Sequence, residues 1–222
     1  MFFKGEDSIV FNRFDNLDGA EDKIINFLLS DKDKTPEQLK YIHTLWRLLY
    51  YDDKKALIND KNHPLPTYKQ IDKLICNDDT IQAPYRVFRM PYIIETEEEA
   101  STIIRVFVDR IMPTNHLIAQ VNFGVDVLIH SKLTNILNPL TDDNDEVINV
   151  NELKPLVQYK NRATTMVKCI IALLNGAYIS GIGDLLFSRE PNRFVESKMG
   201  LMNNRSVYGY RTIFTCQMSG VS

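Results

Sequence analysis

The chain has 222 residues, of which 44% are apolar and 25% charged, with a net charge of −3. That is the composition of an ordinary globular protein, sized for one domain with extensions or for two small ones. Its apolar runs are short and broken by charge, so no membrane span is expected, and Met1–Asp7 lacks the basic-then-apolar pattern of a secretory leader. Cys76, Cys169 and Cys216 are far apart, with no CxxC spacing, and read as small apolar residues in a reducing compartment. Charge is unevenly placed. Residues 151–222 hold nine Lys/Arg against four Asp/Glu, and the first 150 hold 17 against 25. Such polarity suits head-to-tail contacts between subunits, and ordinary scatter of solvated charge accounts for it equally well. No concentrated nucleic-acid-binding patch stands out.

In chain order, Phe2, Phe3, Phe11 and Phe14 lie among charges without a period, which reads as an extended arm. Gly19–Ser30 then supplies Ile24, Ile25, Leu28 and Leu29 at helical spacing. Thr35-Pro36-Glu37-Gln38 is a helix start with a capping box, followed by a stripe of Leu39, Ile42, Leu45, Trp46 and Leu49. Residues 1–35 thus form an arm and short helix, and a larger domain covers 36–222. Pro64 and Pro66 precede a further short helix expected over Thr67–Cys76.

From Pro84 the chain turns β-rich. Ser101–Met112 reads as a central strand, with Ile104, Val106 and Val108 on one face and Ile103, Arg105, Phe107 and Asp109 on the other. A turn over 113–118 joins it to Ala119–Ser131, where Val121, Phe123, Val125, Val127 and Ile129 alternate with mostly polar residues. Residues 137–160 make a long excursion tipped by Asp142-Asp143-Asn144-Asp145-Glu146. Arg162–Leu174 reads as a helix closed by Asn175-Gly176, and Ile182–Ser188 as a short strand. A second long loop, 189–206, carries Arg193 and Arg205, and Val207–Met218 is a final strand with Tyr208, Tyr210, Thr212, Phe214, Cys216 and Met218 on one face. The fold class is α+β: an antiparallel sheet packed with helices, with an N-terminal helical extension.

Chemical signatures are weak. Asp109 and Asp126 fall on neighbouring strands, where paired carboxylates would suit a divalent metal, but no third acid or lysine stands at suitable spacing and charged residues on an exposed strand face are the stronger reading. The acidic tip lacks the Gly and Glu positions of an EF-hand. His43, His63, His116 and His130 are scattered, with His43 expected to pack beside Trp46. Gly181-Ile182-Gly183 follows a helix instead of opening one, so it is not a dinucleotide fingerprint. No catalytic residue, metal ligand or cofactor site is assigned, and a non-enzymatic protein is expected. Tyr50-Tyr51-Asp52-Asp53, two aromatics and two acids at a helix C-terminus, is a candidate contact surface, because acids there oppose the helix dipole by ~0.3–1 kcal/mol. Packing of one tyrosine and solvation of the acids is the bland alternative.

Three stretches carry a likeness to a known family: Arg47-Leu48-Leu49-Tyr50-Tyr51-Asp52-Asp53; Ile104–Ile111 with Phe123–His130; and Leu174-Asn175-Gly176 leading into Gly181-Ile182-Gly183-Asp184-Leu185-Leu186-Phe187. Their order over 36–222 resembles the tail-terminator and tail-completion (neck) proteins of tailed bacteriophages. The resemblance implies a tail-terminator-like fold and a structural ring of six or twelve subunits at the head-to-tail junction, joining portal to tail around the DNA channel. It implies a virion protein assembled in the host cytoplasm, with portal and adjacent neck or tail proteins as partners, DNA passing without sequence-specific binding, and no membrane. Tyr50, Tyr51, Asp52, Asp53, Arg193 and Arg205 would then meet neighbouring subunits, and Asp142, Asp143, Asp145 and Glu146 would line the channel. Arg105, Asp109 and Arg110 would charge an exposed strand edge against aggregation. The arm, the extra helix near 67–76 and the two long loops exceed the compact members and suggest a neck adaptor. The alternatives are a soluble monomeric binding or regulatory domain and, behind it, a metal-dependent nuclease.

Overall fold

Gly19 adopts a positive φ of 70° and turns the chain into the first helix, α1 (Ala20–Leu29), whose Ala20, Ile24, Ile25, Leu28 and Leu29 are all buried. In the computed structural model, residues 17–76, 85–89, 101–114, 118–137, 159–188 and 207–219 are described. The arm phenylalanines, the acidic tip Asp142–Glu146, Arg193 and Arg205 lie outside them. The expected capping box opens α2 (Pro36–Tyr50). Gln38 N donates to Thr35 Oγ1 at 3.2 Å, and Thr35 N donates back to Gln38 Oε1 at 3.0 Å. Trp46 Nε1 donates to Leu29 O at 3.0 Å, which fastens α2 to the last turn of α1. The next helix, α3 (Tyr68–Asp72), is shorter than the sequence suggested. Its continuation is captured instead: Leu74 O accepts from Arg86 N at 2.7 Å and Val87 N at 3.0 Å, and Ile75 bridges to Val87.

Strands β1 (Val87–Phe88), β2 (Thr102–Pro113) and β3 (Ile118–His130) follow. Then come β4 (Asn135–Leu137), β5 (Tyr159–Asn161), helix α4 (Arg162–Leu174), β6 (Ala177–Ile179), β7 (Gly183–Phe187) and β8 (Val207–Ser219). The main sheet runs β1-β2-β3-β8-β7-β6, and β4-β5 form a separate pair. It is a mixed α+β fold with a curled sheet packed against helices, antiparallel except for the parallel β1–β2 pairing. The β2–β3 hairpin is closed by Thr114 N donating to Ile118 O at 2.9 Å. β3 and β8 pair over their whole length, from Ile118↔Ser219 to His130↔Val207. At ~3.3 Å per residue this makes a ribbon about 40 Å long.

The period-two reading of β3 holds residue by residue. Val121, Phe123, Val125, Val127 and Ile129 are each fully buried, facing Ile104 and Val106 of β2, Phe214, Cys216 and Met218 of β8, and the helices. α4 lies on β3 and β8, with α2 beside it and α1 over β2. On the opposite face Ile103 and Leu128 join Phe88 and Cys76 in a smaller cluster. Gly124 lets the Phe107 ring lie over the strand there, since a Cβ at that position would stand 2.5 Å from Phe107 Cζ and push the ring aside.

Two expectations change in part. Arg105 does not charge an open edge, because β1 pairs with β2 at Ile104 and Arg105, while Asp109 and Arg110 lie beyond that pairing and are exposed. Of the two strand carboxylates, Asp126 is fully buried, as is Arg105, whereas Asp109 is exposed. Among the described residues the sheet order ends at the β6–β7 hairpin, whose register puts Tyr178 and Leu186 on one face, 68% and 58% exposed. Among the described residues no helix is long and apolar enough to cross a membrane.

Candidate functional site

The C-terminus of α2, where the sequence placed Tyr50, Tyr51, Asp52 and Asp53, is clasped by arginines. Helix termini leave carbonyls without intrahelical partners. Here Arg162, the first residue of α4, donates to Leu48 O at 2.8 Å, Tyr51 O at 2.9 Å and Asp53 O at 2.6 Å. Arg162 is fully buried, and desolvation lowers its pKa to about 10, with Asp52 and Asp53 acting in the opposite sense. Arg86 donates to Leu49 O at 2.5 Å and forms an ion pair with Asp52. The acids at this helix end therefore sit among cations, which offsets the dipole cost that made them suspect.

The loop beyond is organised by the same residues. Tyr51 Oη donates to Pro64 O at 2.6 Å, and Gln70 Nε2 donates to Tyr50 Oη at 3.0 Å. Arg47 donates to Ile58 O, His63 O and Asn59 Oδ1. His63 lies between two carboxylates, with Nε2 2.7 Å from Asp53 and Nδ1 3.1 Å from Asp60. The hydrogen bond to Asp53 raises the His63 pKa above its ordinary 6.5, and the hydrogen bond from His63 lowers that of Asp60 below 3.8. All four residues of the proposed contact string thus have partners inside their own chain.

Asp109 and Asp126 are drawn together, with a guanidinium between them in place of a metal geometry. Arg105, Asp126 and Arg211 stand opposite one another on β2, β3 and β8. Arg105 Nη2 is 2.5 Å from Asp126 Oδ2, and Arg211 reaches the two Asp126 oxygens at 2.7 and 3.0 Å. Asp109, in the bulge between Val108 and Arg110, lies 3.9 Å from Arg211, and Phe107 supports the same guanidinium at 4.7 Å. No group of three His, Cys, Asp or Glu residues suited to a metal occurs among the described residues.

A cleft of about 580 Å³ opens between α2 and α4. Lys40, His43, Thr44 and Arg47 of α2 line one side, and Lys160, Asn161, Thr164, Thr165, Lys168 and Cys169 the other, with Tyr41 and Leu57 adding an apolar wall. Among the described residues no carboxylate lines it. His43 packs on Trp46 with ring centroids 5.4 Å apart, as expected, and burial lowers its pKa despite Asp31. Burial pushes the Cys169 thiol up to about 12, which leaves it a thiol at neutral pH. Asn161 caps α4, accepting from Thr164 N at 3.0 Å, and so fixes the threonines at the cleft.

Sequence reading missed this cleft. Its signal was present as helical spacing: Lys40, Thr44 and Arg47 share one face of α2, and Asn161, Thr164, Thr165 and Lys168 one face of α4. What could not be read was that the two faces meet.

The chain matches the family model described as YomW over residues 43–216, which spans α2 to β8, and it belongs to that family. No curated protein and no solved structure matches it.

Proposed function

We propose that this YomW-family chain is a structural subunit of the phage head-to-tail junction, a neck adaptor or tail terminator with a tail-terminator-like fold. In this reading it forms a ring around the DNA channel and joins portal to tail. The observation that carries the proposal is the open end of the sheet. Among the described residues β6 has no strand on its outer side in the sheet order, and its hairpin presents Tyr178 and Leu186 to solvent. Edges of this kind extend by strand addition, and exposed apolar side chains beside them favour a neighbouring chain over water. A heterologous contact that repeats and closes gives a ring. The order of a helix, a long hairpin, a crossing helix and closing strands also agrees with the likeness to neck proteins.

The test is native mass determination with negative-stain imaging of the purified chain, alone and mixed with its virion portal. Closed rings in either sample, broken by Tyr178→Asp with Leu186→Asp, are expected. A chain that stays monomeric and ignores the portal would remove the assembly role. The cleft between α2 and α4 favours the second reading, a soluble monomeric binding domain, and that outcome would bring it forward.

A further inference from the structure

We infer that the cleft between α2 and α4 binds a small molecule bearing more than one phosphate, of the nucleoside diphosphate class. This inference does not depend on ring assembly. The first argument is charge. Lys40, Lys160 and Lys168 are exposed, line one cavity with Arg47, and share it with no carboxylate of the described residues. The cleft is also cationic inside a chain whose net charge is −3.

The second argument is the contrast with the arginines. Arg47, Arg86, Arg105, Arg162 and Arg211 are all held by carboxylates, carbonyls or a side-chain amide of this chain. The three lysine ammoniums have no ion-pair partner among the described residues. Like charges gathered without partners do nothing for the fold, and an anion held in the cleft supplies the opposite charge they lack.

The third argument is size and lining. A cavity of this volume is roughly 10 Å across, comparable to the Debye length at physiological salt, so one ligand inside it feels every lysine. Thr44, Thr164 and Thr165 offer hydroxyl oxygens, and Tyr41 with Leu57 gives a surface for an apolar or aromatic portion. Nucleic acid fits less well. Asp31 acts on His43 and Asp60 on Arg47, so the positive potential is confined to the cleft and does not spread into the long stripe that a polyanion needs.

The experiment is isothermal titration of the full chain with ADP, inorganic pyrophosphate, adenosine and a short DNA duplex. Saturable binding of ADP is expected, with pyrophosphate weaker and adenosine silent. Lys160→Glu with Lys168→Glu should weaken ADP by at least about tenfold, while the thermal midpoint and oligomeric state remain those of the parent. Absence of ADP and pyrophosphate binding at millimolar concentration overturns the inference. So does ADP binding that the double variant leaves unchanged, or tighter binding of the duplex than of ADP through the same lysines. A loss of ring formation leaves the ADP result untouched, which separates this inference from the assembly proposal.

Discussion

On the sheet, Arg105, Asp126 and Arg211 stand in register on three adjacent strands, and each charge meets its opposite within 3.0 Å. In the cleft, Lys40, Lys160 and Lys168 line one cavity, with no carboxylate among the described residues of its lining. In the first arrangement Arg105 and Asp126 are fully buried and Arg211 closes over them from a partly exposed position, so its worth is conformational: it fixes how β2, β3 and β8 lie side by side. The second is wet and incomplete, so removing any member should cost the fold little. A charge that the fold has already satisfied speaks about architecture, and one that it leaves unsatisfied speaks about what comes from outside.

The strongest way to break this contrast is Asp126→Ala, which strands the buried Arg105. A loss of about 3–5 kcal/mol in urea unfolding is expected, because breaking a buried pair leaves an uncompensated charge. Replacing Arg105 by Met and Asp126 by Leu together should recover most of that loss. If the double variant is as unstable as the single one, the cost lies in packing and the electrostatic account is wrong.

Next in size is Arg162→Met, which keeps the aliphatic stem but leaves the carbonyls of Leu48, Tyr51 and Asp53 without their donor. Each buried orphan costs ~1–3 kcal/mol, with water reaching some, so about 2–4 kcal/mol is expected in total. Hydrogen exchange should quicken at the end of α2 before it does in the sheet. A uniform change across the molecule would argue against a local clasp.

Gly124→Ala should cost about 1–3 kcal/mol by overpacking against Phe107, and Phe107→Leu in the same chain should restore part of it. Failure of the second substitution to help would place the strain in the backbone instead.

A smaller, pH-dependent effect is expected at His63. Its folded pKa is raised above 6.5, so its contribution is full below 6.5 and is lost as pH climbs through the folded value. Asp60 is depressed below 3.8, so its contribution is present above 3.8 and is lost as pH falls through its folded value. The latch is therefore strongest between those limits. His63→Gln should flatten the decline in unfolding midpoint from about pH 5 to about pH 8. His43, lowered by burial, contributes an opposite slope that is common to both proteins. Parallel profiles would show that the two carboxylates do not hold the imidazole in solution. The smallest effect belongs to the cleft: Lys160→Glu or Lys168→Glu should move stability by no more than ~0.5 kcal/mol.

Wherever a local rule is strong, the sequence could be read directly. The capping box at Thr35–Gln38, the limits of α4 at Arg162 and Leu174, and the inward face of β3 follow from hydrogen-bond chemistry and side-chain period within one segment. The short elements could not be read this way. β1, β4, β5 and β6 are two or three residues long, too short to carry a period, and exist because a neighbouring strand offers them hydrogen bonds. The shortening of α3 has the same origin, since Leu74 O is taken by the approach to β1.

The same division runs through the charged residues. By itself the sequence determined which residues are long, cationic or acidic, which faces of α2 and α4 they occupy, and that β2 and β3 pair as a hairpin. Only the tertiary structure decided that Arg211 comes from 85 residues away to sit against Asp126, that Arg162 reaches back to the end of α2, and that two lysine-bearing helix faces border one cleft. Local preferences act over a turn or a strand. Pairing between distant charges is set by how the core packs, and burial of Val121, Phe123, Val125, Val127 and Ile129 against the helices fixes that arrangement without regard to the charges it brings together.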